Sequence, residues 1–216
     1  MNDTKNTLLI IAGVVAVFLG VIYGLSKMST GETTTVKVDN SKLVEGARFV
    51  KENSSTDSGQ IKATVVVFAD IQCPSCKAAE QQLKPLQSMI GVKYVMRQFP
   101  LPANIHKYAL ISAKAVEAAR VMGKGWEMME LMFEKQSDWS NVSKPEKLFA
   151  EYAKGLGLDE KKFLETMNSG EVAQFVATDS ILADSLKLSG TPTIFVNGEQ
   201  VGVPFVMDKV KEILAK

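Results

Sequence analysis

The sequence predicts an α/β protein, a mixed sheet flanked by helices, carried behind one N-terminal transmembrane helix. Three observations predict it. "KATVVVFAD" (residues 62–70) is a short, continuous β-branched run, the pattern of a strand buried on both faces. From about Ile105 to Leu188 the chain shows almost nothing but helical periodicity. Strand character then returns in "TPTIFVNGEQVGV" (residues 191–203), where Asn197-Gly198 between two apolar runs signals a two-residue hairpin.

The elements follow in order. Leu8–Leu25, "LLIIAGVVAVFLGVIYGL", carries no charge, and the uncharged window runs from Asn6 to Ser26 between Lys5 and Lys27. A helix of that length spans roughly 30 Å, about a bilayer core. A cleaved signal peptide is the rival reading, but its apolar region is about 7–15 residues and ends in a small-x-small site. "YGLSKMST" offers no good site. "SKMSTGETTTVKVDNSK" (residues 26–42) is polar and Thr-rich, and "KENSSTDSGQ" (residues 51–60) is a second polar break. The organisation read from this is a short tail at 1–6, a transmembrane anchor at 7–26, a tether at 27–60 and one domain at 61–216. A helical insertion occupies about 104–188 of that domain. Formal net charge is +1 with no basic cluster, so nothing points to nucleic acid as a partner.

Within the domain, Pro74 suits the first turn of a helix that runs towards Ile90, and Pro85 should kink it. "VKYVMRQF" (residues 92–99) is a second strand, parallel to the first across a right-handed crossover. The insertion follows; its methionines Met122, Met128, Met129 and Met132 recur at helical spacing, as core residues do. "PFVMDKVKEILAK" (residues 204–216) closes the chain as a helix.

The only cysteines, Cys73 and Cys76, lie in "DIQCPSCKAAE" (residues 70–80). A structural disulfide there would close almost no chain and stabilise little. A structural zinc site usually needs a second Cys/His pair, and His106 is the only histidine. The redox reading gains from position, because Cys73 falls where a buried strand turns into a helix and Cys76 lies one turn on. Unpaired N–H groups and the helix dipole at that end favour a negative sulfur. Thr191-Pro192, before a strand and hairpin, is where a cis proline would fit, with a trans proline at a loop end as the plain alternative.

"VVVFADIQCPSC", "RQFPLPANIH" and "SGTPTIFVNG" together resemble the thioredoxin superfamily, most closely its DsbA-like branch of extracytoplasmic disulfide oxidoreductases. The resemblance covers Lys62 to Lys216. It implies a thioredoxin-like sheet with a helical insertion. It implies that Cys73 is the exposed nucleophile, Cys76 its resolving partner, and Thr191-Pro192 a cis-proline loop that faces them and pairs with an extended substrate segment. Two positions depart from parts of the family. Val67 stands where thioredoxins keep a buried acid, and Ser75 where strongly oxidising members carry His. Asp70, three residues before Cys73, is either a proton relay to Cys76 or a solvated loop or capping aspartate. Pro74 and Ser75 support the pair, and His106 would cap or open its helix.

The function implied is a membrane-tethered thiol:disulfide oxidoreductase, acting as an oxidase on exported cysteine-containing proteins from the periplasmic side of the membrane. Its redox group would be the Cys73-Cys76 disulfide, with no further cofactor and no metal. A membrane or extracytoplasmic redox partner would reset it. A reductase or isomerase, or a non-redox tethered chaperone, are the alternatives.

Overall fold

The computed structural model describes residues 37–54 and 60–216. The anchor expected at 7–26 lies outside the described residues. Among the described residues no helix is long and apolar enough to cross a membrane.

The described chain begins with α1 (Asn40–Val44), a single turn capped by Asp39, whose carboxylate accepts the Ser41 N–H. It then forms β1 (Phe49–Asn53). Both fall inside the stretch read as a tether, so the tether reading is corrected over residues 40–53. Only Phe49 of β1 is fully buried, and the remaining positions are half-buried or exposed. The strand therefore looks like linker in sequence, while its charged side chains suit a sheet edge.

β2 (Ala63–Ala69) is buried at every position. Val65 and Val67 face the larger core cluster, and Val66 and Phe68 the smaller one on the other side of the sheet. α2 (Pro74–Leu83) follows, with Cys73 at its N-cap and Pro74 in its first turn. The kink expected at Pro85 is a change of helix type. The α-helix stops at Leu83 and a 3₁₀ turn runs over Lys84–Ser88, because Pro85 has no N–H to continue the ladder.

β3 (Val92–Gln98) pairs parallel with β2, Val65 opposite Tyr94 and Ala69 opposite Gln98. β1 lies antiparallel on its outer side. The helical insertion comprises α3 (Ala109–Val121), α4 (Gly125–Glu134), α5 (Gln136–Trp139), α6 (Glu146–Gly155), α7 (Glu160–Met167) and α8 (Gly170–Ser185). Met128, Met129, Met132 and Trp139 are buried there, and Trp139 meets Phe149 edge to face at 5.3 Å.

β4 (Thr193–Val196) returns antiparallel to β2, β5 (Glu199–Gln200) pairs with β4, and α9 (Val203–Leu214) packs last. The sheet order is β1-β3-β2-β4-β5, a mixed sheet with helices on its faces. Asn197 and Gly198 both take positive φ, 47° and 80°, as a twisted two-residue hairpin requires. The Asn197 side chain accepts from Thr64 N at 2.7 Å and donates to Lys62 O at 3.0 Å, which fixes the hairpin against the start of β2.

Candidate active site

The site forms where β2 ends. The Asp70 carbonyl accepts the Cys73 N–H at 3.1 Å, and the Cys73 carbonyl accepts the N–H groups of Cys76 and Lys77 as α2 begins. The helix thus starts at the first cysteine, and Cys76, Ala79, Glu80 and Leu83 form its buried stripe.

Cys73 Sγ lies 2.9 Å from Ser75 Oγ and 3.5 Å from the Thr191 carbonyl oxygen. Ser75 Oγ also lies 3.4 Å from that carbonyl. The Thr191-Pro192 peptide is cis. Both cysteines are free thiols. Cys73, expected to be exposed, is only 5% accessible, little more than Cys76 at 2%, because Ser75 and the Thr191 loop cover it.

The electrostatics separate the two sulfurs. The Cys73 thiol is lowered from an ordinary 9.0 to about 4, chiefly by the hydrogen bond Cys76 donates to it. Burial opposes the shift, while the Ser75 hydroxyl, the Thr191 side chain and the Cys76 backbone N–H add to it. Cys76 is driven far upward, first because its proton is held in that bond and then by burial. One sulfur is a stabilised thiolate and the other a protonated thiol beneath it.

Asp70 is buried and its carboxylate is fully engaged. Oδ1 accepts Gln72 N at 2.8 Å, and Oδ2 accepts Leu101 N at 3.0 Å and contacts His106 Nδ1 at 2.7 Å. Burial raises its pKa against those bonds. These contacts brace the turn that delivers Cys73, and Cys73 itself, not Asp70, stands at the N-cap of α2. His106 does not cap α3: the Gln72 side-chain oxygen takes the Tyr108 N–H at that helix's start. Val67 is a β2 core residue.

Two further residues hold the site. Gln136, from the insertion, donates to the Ile71 and Cys73 carbonyls at 2.8 and 3.1 Å. Nothing local in the sequence announces it. Glu80 is buried, bonded to Tyr94 OH at 3.1 Å and to the Gln87 amide, and burial raises its pKa. Its place four residues after Cys76 on the same helix face was a readable signal. No group of three or more His, Cys, Asp or Glu residues placed to hold a metal occurs among the described residues.

A mixed sheet interrupted by a helical insertion, with two thiols of opposed acidity at a helix start under a cis-proline loop, defines a thioredoxin-fold dithiol protein. The Thioredoxin family model matches residues 57–216, and the chain belongs to that family. Its fold is shared with the thioredoxin-like oxidoreductase from Silicibacter pomeroyi DSS-3 (TM-score 0.65, 24% identity, 83% of this chain and 99% of that one). BdbD from Bacillus subtilis is similar (0.64, 24%, 77% and 92%), as is the thiol-disulfide exchange protein alpha-DsbA2 from Wolbachia pipientis (0.63, 20%, 80% and 90%). Among curated proteins, 143 residues are 38% identical to the Na(+)/H(+) antiporter NhaA 3 of Salinispora tropica, covering 66% of this chain and 21% of that protein. The NhaA 1 protein of Mycolicibacterium gilvum is 34% identical over 143 residues, 63% and 22%. The match thus spans about a fifth of the length of these relatives, and the antiporter name describes those longer proteins.

Proposed function

We propose that this protein is a thiol:disulfide oxidoreductase that oxidises cysteine pairs in exported proteins while tethered to the membrane. The observation that carries the reading is the opposed acidity of Cys73 and Cys76. In the oxidised protein a substrate thiolate attacks Cys73 Sγ, the Cys73–Cys76 bond breaks, and Cys76 leaves with the electron pair and takes up a proton. A substrate–Cys73 disulfide now exists. The substrate's second thiolate attacks the substrate sulfur and expels Cys73 as thiolate. The substrate has lost two electrons, and the dithiol holds them.

Each step uses a feature of the site. A thiolate stable at about pH 4 is a good leaving group, and it favours the reduced dithiol over the disulfide, which makes the disulfide the stronger oxidant. Cys76, buried and protonated, is a poor nucleophile towards the mixed disulfide, so the substrate's own thiol has time to finish the reaction. A disulfide carried by a membrane or extracytoplasmic partner would take the two electrons away. The uncharged run Leu8–Leu25 supports the tether, and an exported domain meets substrates whose thiols can be oxidised.

The test is the reduction potential of the full chain in glutathione buffers. The expected value lies well above about −270 mV, towards about −120 mV. A value near the lower figure would make the protein a reductant. Cys73→Ser should abolish oxidative refolding of a reduced disulfide protein, and unchanged refolding would mean a non-redox module.

A further inference from the structure

A cleft of about 350 Å³ opens beside Cys73 on the side of the helical insertion. Gln72 and Pro74, the chain neighbours of Cys73, form one wall with Lys77. Ser137, Ser140 and Asn141 of the insertion line it as well, with His106. It shares no residue with the Thr191-Pro192 loop.

The walls are tied to the reacting sulfur's own segment. Gln136 holds the Ile71 and Cys73 carbonyls, and Gln72 Nε2 reaches the Ser140 carbonyl at 3.5 Å. A polypeptide whose cysteine meets Cys73 therefore lays its neighbouring residues against a preformed surface. That surface has a sign. Two of its eight lining residues, Lys77 and His106, are basic and none carries a carboxylate. Of the nearby carboxylates, Asp70 is engaged by Gln72, Leu101 and His106, while exposed Asp138, bonded to the Ser137 hydroxyl, and Glu134, whose backbone carbonyl holds Lys77, stand outside the cleft's lining. Lys77 Nζ spends one donor on the Glu134 carbonyl at 3.1 Å and has two left. His106 spends Nδ1 on Asp70, leaving Nε2 for the cleft.

We infer that this cleft is a second substrate subsite, which selects polypeptides carrying acidic side chains beside the reacting cysteine. The inference rests on the oxidoreductase reading and adds the substrate chemistry. The substrate segment is held at both ends of the exchange, by the Thr191 backbone on one side and by the cleft's basic and amide groups on the other.

The experiment measures disulfide exchange by the oxidised full chain with cysteine peptides flanked by two Glu or by two Lys, and with dithiothreitol as an uncharged small thiol. The Glu peptide should react about fivefold faster than the Lys peptide at low salt, and the ratio should shrink towards one in high salt. Lys77→Gln and Asn141→Asp should each lower that ratio. Equal rates for the two peptides, alongside normal reaction with dithiothreitol, overturn the subsite and leave the oxidoreductase reading intact. A ratio unmoved in both variants also overturns it. Failure to react with dithiothreitol at all sinks both.

Discussion

At the scale of single residues, the site turns on how a charge is held on one sulfur. An unfolded thiol titrates near about 8.5, and Cys73 in the folded dithiol at about 4. Between those values the unfolded chain binds a proton that the folded chain does not. This group therefore stabilises the folded, reduced protein increasingly as pH rises, fully above about 8.5 and not at all below about 4. The thermal midpoint of reduced wild type minus that of reduced Cys73→Ser should climb with pH across that window. A flat difference would mean that Cys73 titrates like a free thiol. Ser75→Ala removes one of the stabilising donors and should raise the Cys73 midpoint by up to about one unit, about 1.4 kcal/mol, read from thiolate absorbance. Both cysteines were legible because the CxxC spacing sits where a β-branched run meets a helix signal. Gln136 was not, because it reaches Cys73 across 63 positions of sequence and only tertiary packing joins them. Near-complete cover of Cys73 was invisible for the same reason, since the loop over it arrives 118 positions later.

At the scale of elements, legibility followed burial. β2, with every side chain inside, announces itself as an unbroken apolar run, whereas β1 buries only Phe49 fully and reads as linker. The hairpin was legible because turn chemistry is local. Gly198 has φ +80°, and a Cβ there would lie 2.1 Å from the Val38 carbonyl oxygen, so both conformation and space demand glycine. Gly198→Ala should cost about 1–3 kcal/mol in denaturant unfolding, because the strain and the clash fall on the same residue. A loss below about 0.5 kcal/mol would show that the hairpin yields freely. Asn197→Ala removes one bond to β2 and one to Lys62 just before it but no backbone requirement of that severity, and about 1–2 kcal/mol is expected.

At the scale of the whole molecule, a charge network joins parts that the sequence gives no reason to associate. Arg97 of β3 is buried and pairs with buried Asp179 of α8 at 2.8 Å. Its guanidinium also donates to the carbonyls of Leu43 and Glu45, which fixes α1 and the approach to β1. Arg48 continues the network to Asp179 at 3.0 Å and to Glu117 of α3 at 3.1 Å, and Arg120 closes on Glu117. Phe175 of α8 stacks under both Arg48 and Arg120. Sheet, insertion and N-terminal segment thus share one set of ions, and charged residues at such distances in sequence carry no pattern that predicts their pairing. Asp179→Ala leaves buried Arg97 without its anion, which costs about 3–5 kcal/mol and exceeds the net worth of the pair itself. The double variant Arg97→Met, Asp179→Leu should therefore be more stable than Asp179→Ala alone, because no buried charge is stranded. The same double variant loses the bonds to Leu43 and Glu45, so the amides of α1 and β1 should exchange hydrogen faster while those of β2 and β4 stay protected. Loss of protection throughout the sheet would show instead that Arg97 and Asp179 hold the central strands as well as the segment that precedes them.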